Sequence, residues 1–281
     1  MKSLQYIMVK KWFVGTSGFM VRQDLWLSLP GLNCIEINST FYALPSVKTI
    51  LRWKALSPDL FFSLKVSKYI THIKRLKNCK GAWKQFWNRA KHMGDQLAAV
   101  LIQLPPSFRC NAETLGRVRA MASYLPRGGP TVVFEFRDHS WFVPEVFRLM
   151  KRHGWCLGGT AIERPTKAYW LGNLPTGMHV PPRTSDATYI RIHGQRGYKG
   201  YYDLKKLRQL KQKVERNKTT KNFIMFNNTF FSKRHRTCKA RRIVRAKAAA
   251  TKRAATKRVK IRYAAVCDAV EFARLTRRRR R

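Results

Sequence analysis

The chain has 281 residues, 44% of them hydrophobic, which suits one barrel-sized domain or two small domains with a packed core. Its formal net charge is +44, with 58 Lys and Arg against 14 Asp and Glu, and a chain this basic attracts polyanions. No apolar stretch approaches the roughly 20 residues that span a membrane, and the N-terminal one is too short for a secretion signal. We therefore expect an intracellular protein without a membrane partner.

Eight short apolar runs, rich in β-branched and aromatic residues, are typical of strands buried on both faces. In chain order they are Trp12–Val14, Cys34–Ile37, Phe61–Val66, Ala98–Leu104, Thr131–Phe136, Gly154–Gly158, Ala187–Ile192 and Asn222–Phe226. Longer stretches between them, several with helical spacing, are Val47–Leu56, Gly81–Met93, Thr114–Tyr124, Pro144–Arg152 and Leu204–Glu215. This alternation predicts an α/β protein of the TIM-type (β/α)8 barrel class, whose site lies at the carboxyl ends of the strands.

Polar side chains stand at the ends of most of these runs. They are Glu36, Asn38, Lys65, Gln103, Glu135, Arg137, Arg191, His193, Asn227 and Asn228, with His72 in the loop after the third run. In the segments EIN, EFR and RIH, two polar residues flank one apolar residue, so strand alternation puts both on the same face. The sequence therefore predicts one site at the mouth, meaning the end of the barrel where the strands terminate.

The residue types suggest roles within that site. Glu36, Glu135 and His193 are the candidate acid–base residues, because carboxylates in different environments can have pKa values pushed apart and imidazole shuttles protons. The predicted substrate-binding residues are Asn38, Lys65, His72, Gln103, Arg137, Arg191, Asn227 and Asn228, of which the cations suit a phosphate or carboxylate. A structural interpretation stays open: Glu135 with Arg137 or Arg191 can simply close a salt-bridged ring, and His193 can be a structural histidine.

No metal site and no cofactor are predicted. Glu36, Glu135 and His193 lack any familiar metal-binding spacing, and the chain has few acidic residues to spare. The phosphate-binding loop, the dinucleotide G-x-G-x-x-G and the G-x-S-x-G elbow are all missing from the sequence. Nucleotide-triphosphate and dinucleotide chemistry are therefore disfavoured.

Seven strings carry a family resemblance. They are GTSGF (15–19), IEINSTFYALPS (35–46), FFSLKVSKYITHIKRL (61–76), LIQLPPSF (101–108), VVFEFRDHSWF (132–142), YIRIHG (189–194) and FNN (226–228). In this order they resemble the domain-of-unknown-function 72, or YecE-like, family. The resemblance implies a TIM-type barrel similar to the xylose isomerase and endonuclease IV type, with an assumed enzymatic site and no established reaction.

The chain departs from that family in two places. Between residues 18 and 36 it is shorter than is usual, so only Asp24–Leu29 can serve as the first crossover helix and the first βα unit is expected to be shortened. After residue 232 there is an insertion with 14 Lys and Arg and no acid. We expect a barrel core over 1–232, a flexible basic insertion over 233–262, a final barrel helix over 263–275 and a basic tail over 276–281.

The insertion suggests a binding partner and a cellular location. Because it follows the eighth strand, it would lie beside the mouth and could grip nucleic acid or another polyanion, although an inert, solvated insertion is also open. Its basic clusters predict nuclear entry if the host cell has a nucleus, and otherwise a cytoplasmic protein.

Two functions follow from these observations. The first is a barrel enzyme, hydrolase- or isomerase-like, that acts on an anionic or sugar-bearing substrate. The second is a nucleic-acid-binding protein that uses the barrel as a non-catalytic scaffold. The fold alone does not choose between them.

Overall fold

The computed structural model describes residues 10–164, 177–196, 200–227 and 264–277. Ten strands within them form one curled, mostly parallel sheet. The strands are β1 Lys11–Ser17, β2 Cys34–Ile37, β3 Phe61–Lys65, β4 Leu97–Gln103, β5 Thr131–Glu135, β6 Cys156–Leu157, β7 Gly159–Arg164, β8 Gly177–Met178, β9 Ala187–Arg196 and β10 Lys221–Phe226. Their order across the sheet is β6-β5-β4-β3-β2-β1-β10-β9-β7-β8, and only the β7–β8 pair is antiparallel.

Helices connect most successive strands. The α-helices are α1 Gln23–Leu27, α2 Ser39–Tyr42, α3 Val47–Lys54, α4 Lys80–Ala90, α5 Ala112–Ala120, α6 Pro144–His153, α7 Leu204–Arg216 and α8 Ala264–Thr276. Short helical turns occupy Tyr69–Ile73 (π) and Lys91–Gln96, Met121–Ser123 and His139–Trp141 (3-10). The predicted helical stretches all contain helix, and the first crossover helix is short, as expected.

The curl of the sheet creates an inner and an outer core. The inner face holds side chains from strands that are not neighbours, such as Leu101 of β4 and Phe223 of β10. Phe13 of β1 stacks on Phe223 with ring centroids 4.3 Å apart. The outer face is covered by the helices. The final helix α8 contributes Phe272, whose ring lies 5.7 Å from that of Trp12.

The sixth predicted strand differs from the structure. Gly154, its predicted first residue, has a φ of 63° and ends α6, so the strand starts only at Cys156. At Gly158 the chain stops pairing with β5 and continues as β7, which pairs with β9. A Cβ on Gly159 would lie 2.5 Å from Pro181, so only glycine allows this close passage. The strand β7 and the two-residue strand β8 were not predicted. For β7 the reason is that consecutive glycines usually mark the end of a strand.

The prediction of a (β/α)8 barrel is therefore confirmed only in part, because a complete eight-stranded barrel is not seen among the described residues. The protein has an α/β fold with a curled, mostly parallel ten-stranded sheet. In the ranges that the structure describes, no helix has the length and apolar character needed to cross a membrane.

Candidate functional site

A buried carboxylate at the end of β2 is the best-anchored group of the site. Oε1 of Glu36 accepts hydrogen bonds from Ser17 Oγ (2.7 Å) and Arg191 Nη2 (2.8 Å), and Oε2 accepts from the Tyr189 hydroxyl (2.8 Å) and Arg191 Nε (2.9 Å). Burial favours a raised pKa, but Arg191 and the hydrogen-bond donors outweigh it and hold the pKa of Glu36 below its ordinary value. Glu36 is therefore an ionised carboxylate with both oxygens in use.

Arg191 joins two carboxylates across the inside of the sheet. The residue is 2% exposed and projects from β9. Its Nε and Nη2 bind Glu36, and its Nη1 lies 3.4 Å from Glu135 Oε2 at the end of β5. Burial opposes the charged form, but attraction to Glu36 and Glu135 raises the pKa of Arg191 above its ordinary value. The guanidinium is therefore a permanent cation that links three strands.

The network continues from Glu135 towards the mouth. Glu135 forms an ion pair with Arg137, whose Nη2 lies 3.4 Å from His193 Nε2. The Asn227 amide lies 3.5 Å from His193 Nδ1 on the other side of the ring. Burial first, and then the nearby cations Arg137, Arg191 and Lys65, push the pKa of His193 well below its ordinary value. At neutral pH the imidazole is therefore uncharged.

Lys65 lies at the end of β3 and is half-buried. Its Nζ lies 4.0 Å from the centre of the Phe41 ring. Burial and repulsion by Arg191 lower its pKa to about 7, against the opposing attraction of the two carboxylates. A large fraction of this amine is therefore neutral at physiological pH.

Three further predicted residues surround this network. Asn38 follows β2, and its Oδ1 is buried without a hydrogen-bond partner among the described residues. Gln103 ends β4, and among the described residues its amide donates to the neighbouring Leu104 carbonyl alone, at 3.1 Å. His72 lies in the π-helical turn after β3, 2.8 Å from Thr71 Oγ1, and burial with the nearby Lys65 lowers its pKa to about 4.

The predicted strand-end residues therefore divide into three groups. A chain of hydrogen bonds and ion pairs connects Glu36, Arg191, Glu135, Arg137, His193 and Asn227. Asn38, Lys65, His72 and Gln103 lie at the same strand ends or in the loops after them. Asn228 and the insertion 233–262 lie outside the described residues, so the predictions made for them stay predictions.

The sequence analysis missed the hydroxyl groups that support Glu36. Ser17 ends β1, and Tyr189 of β9 bonds both Glu36 and Ser63 of β3, the latter at 2.8 Å. The alternation of side chains along a strand could have identified Tyr189, since it lies two residues before Arg191 and therefore on the same face of β9. Among the residues that the structure describes, no three His, Cys, Asp or Glu side chains form a group that could hold a metal ion.

Comparison with known proteins now defines the family. Residues 24–262 match the family described as "Protein of unknown function DUF72". The chain belongs to the DUF72 family. The family resemblance of the seven strings is thereby confirmed. Membership of this family does not identify a reaction.

Two curated DUF72 relatives match parts of the chain. It is 34% identical to the UPF0759 protein YecE of Escherichia coli (strain K12) over 77 residues, which are 27% of this chain and 28% of YecE. It is 25% identical to the UPF0759 protein YunF of Bacillus subtilis (strain 168) over 172 residues, 57% of this chain and 58% of YunF. The matches therefore span less than two thirds of either relative.

Solved DUF72 structures share the fold. A DUF72 family protein of Enterococcus faecalis V583 has a TM-score of 0.63 at 16% identity, covering 78% of this chain and 89% of that one. A DUF72 family protein of Thermotoga maritima MSB8 has a TM-score of 0.62 at 22% identity, covering 77% of this chain and 92% of that one. At these identities the likeness concerns the fold alone.

The Glu36–Arg191 pair predicts a large effect on stability. Glu36→Gln removes the charge but keeps the shape, so Arg191 stays buried with only the weaker contact to Glu135. We expect the free energy of unfolding to fall by about 3–5 kcal/mol in denaturant titrations. The matched control is Glu145→Gln, which breaks the half-exposed pair with Arg119 and should change the stability much less. Equal effects of the two substitutions would contradict a strong buried pair.

The neutral state of His193 predicts a pH dependence of stability. Its folded pKa lies below the ordinary value of 6.5, so its contribution to stability is present above pH 6.5 and is lost as the pH falls towards the folded pKa. His193→Gln should therefore flatten the decline of the free energy of unfolding between about pH 6.5 and 5, where free carboxylates still remain charged. His92→Gln, at an exposed histidine, should keep the wild-type slope. An unchanged slope in His193→Gln would contradict the buried neutral imidazole.

Proposed function

We propose that this DUF72 protein is an enzyme, hydrolase- or isomerase-like, that acts on a small anionic or sugar-bearing substrate at the mouth of a modified (β/α)8-type barrel. The observation that carries the proposal is the imbalance of charge in the network. When the Lys65 amine is protonated, the described part of this network holds three cations, Lys65, Arg137 and Arg191, against two carboxylates, Glu36 and Glu135. In a site shielded from water, an excess of cations attracts an anion strongly.

Unsatisfied polar atoms support the same proposal. Arg137 is 7% exposed, and its Nε has no hydrogen-bond partner among the described residues. The buried Oδ1 of Asn38 also lacks one. Buried polar atoms without partners are rare, because each costs about 1–3 kcal/mol. A bound phosphate or carboxylate can accept from Arg137, and a substrate hydroxyl can donate to Asn38.

The acid–base roles divide according to the contacts. Glu36 uses both oxygens to hold Arg191 and the two hydroxyl groups, so we assign it to positioning the guanidinium. His193 is neutral and can accept a proton. Glu135 pairs with Arg137 but contacts Arg191 only at 3.4 and 3.5 Å, so it is less firmly held than Glu36. We therefore assign proton transfer to His193 and Glu135. A hydrolase or an isomerase needs such a transfer.

One group of observations favours the alternative function, nucleic-acid binding on a non-catalytic scaffold. Residues 233–281 carry 20 Lys and Arg against 2 acids. In the helical segments that follow β2 and β3, Tyr42 is 79% exposed and Tyr69 is 47% exposed, with Lys74 Nζ 5.8 Å from the Tyr69 ring centre. Exposed aromatic rings beside cations can stack nucleobases while the cations meet phosphates.

Anion binding tests the enzyme proposal. Calorimetric titration with a panel of sugar phosphates and their neutral parent sugars should give binding of phosphorylated members only. Arg137→Met should weaken that binding about 10- to 100-fold, because a charge-assisted hydrogen bond to a buried site is lost. Arg109→Met is the control, since Arg109 is exposed and pairs with Asp138 near the same strand end. Equal binding of neutral sugars, or equal affinity in the two variants, would contradict the proposal.

Salt dependence tests the alternative. If residues 233–262 bind nucleic acid, affinity for a single-stranded oligonucleotide should fall steeply with salt, and replacing the segment by a Gly/Ser chain of equal length should make the slope shallower. Equal length separates the loss of charge from the loss of a loop. An unchanged slope would assign binding to the rest of the surface, and no binding at moderate salt would remove this partner.

A further inference from the structure

The amine of Lys65 is held in a defined place at the mouth. Thr40 Oγ1 donates to the Lys65 carbonyl at 2.6 Å, and the following residue, Val66, donates its N–H to Leu101 of β4 at 2.9 Å. The strand end is therefore fixed between the turn after β2 and the neighbouring strand. The side chain lies over the Phe41 ring and is half-buried.

This lysine is left without a carboxylate partner. In the described ranges, Lys65 Nζ forms no hydrogen bond or ion pair with a carboxylate, and it lies against the face of the Phe41 ring. Glu36 and Glu135 are both engaged by guanidinium groups, which form forked, multiple contacts that an ammonium cannot match. Two permanently charged guanidinium groups, of Arg137 and Arg191, therefore lie near an amine that packs against the Phe41 ring. These are the surroundings in which a lysine becomes a nucleophile.

We propose that Lys65 is a nucleophilic amine that condenses with the carbonyl group of an anionic aldehyde or ketone, while Arg137 binds the anionic group. The proposal rests on the anion subsite of the proposed function and specifies its substrate class. The lowered pKa of about 7 agrees with this role, since only the neutral amine carries the attacking lone pair.

The covalent step is balanced without an oxidant or a reductant. The Nζ lone pair forms a bond to the carbonyl carbon, and the π electrons of the C=O bond move to oxygen. One of the two amine protons moves from the nitrogen to that oxygen and gives a carbinolamine. The hydroxyl group then leaves as water with the remaining nitrogen proton, while the nitrogen lone pair forms the C=N bond between Lys65 and the substrate. In its protonated form this imine draws electrons from the adjacent carbon, which eases proton removal there.

Reductive trapping tests the proposal. The full-length protein is incubated with glyoxylate, a small aldehyde that carries a carboxylate, and sodium borohydride then reduces any imine to a stable carboxymethyl amine. Peptide mass mapping locates the label. At pH 7 we expect Lys65 to react on the order of 100-fold faster than exposed lysines, because ordinary lysines are almost wholly protonated there. The rate should rise with a midpoint near pH 7.

An internal control lysine and a matched variant test whether the fast labelling belongs to Lys65. Lys68 is the internal control, since it is exposed three residues further along the chain. Lys65→Arg replaces the amine with a guanidinium that cannot act as the nucleophile, and it should lose the fast label, with circular dichroism confirming the fold. Labelling of Lys65 no faster than that of Lys68 would overturn the proposal.

Propionaldehyde, which has no charge, separates this proposal from the anion subsite. We expect glyoxylate to label Lys65 faster than propionaldehyde does, and Arg137→Met to remove that advantage. Fast labelling by both aldehydes without any preference would support the nucleophilic amine but contradict the anion subsite. Anion binding in calorimetry without fast labelling of Lys65 would overturn the nucleophile alone.

Discussion

The two-sided contact of Arg191 is the interaction on which the rest of the site depends. One guanidinium from β9 binds Glu36 of β2 with two nitrogens and approaches Glu135 of β5 with the third. These strands are not neighbours in the sheet, so the contact crosses its inner face. Burying three charged groups costs free energy that only near-complete pairing offsets. The positions of these strand ends are therefore coupled to one another through a single side chain.

The same pairing decides the state of the remaining groups. Because the guanidinium groups of Arg191 and Arg137 pair with both carboxylates, Lys65 forms no ion pair with a described residue and lies against the Phe41 ring. Burial and repulsion by Arg191 there lower its pKa despite the attraction of the two carboxylates. His193 lies beside Arg137 and stays neutral for a related reason. A partly neutral amine and a neutral imidazole are thus consequences of burial together with this ion-pair arrangement. A positive excess arises whenever the Lys65 amine is protonated, and our proposal of an anion-binding site rests on that excess.

Much of the fold was predictable because its signals are local. Each of the eight apolar runs contains a strand, and the helical stretches between them contain helices. Gly158 and Gly159 are the exception. In the sequence they predict the end of a strand, but in the structure the chain passes close to Pro181 here and changes its pairing partner from β5 to β9. Which neighbour a strand meets after a glycine depends on distant residues. Sequence periodicity contains no information about that choice.

For the site, alternation within EIN, EFR and RIH by itself determined that Glu36, Glu135, Arg137, Arg191 and His193 share the inner face at the strand ends. Only the tertiary structure decided which of these side chains form ion pairs and hydrogen bonds with one another. Glu36 and Arg191 are 155 residues apart, and their contact depends on the curl of the sheet. The support from Tyr189 and Ser63, which are 126 residues apart, has the same origin. Residue type and period are fixed along the chain, whereas the distances that set charge state arise only when non-neighbouring strands face each other.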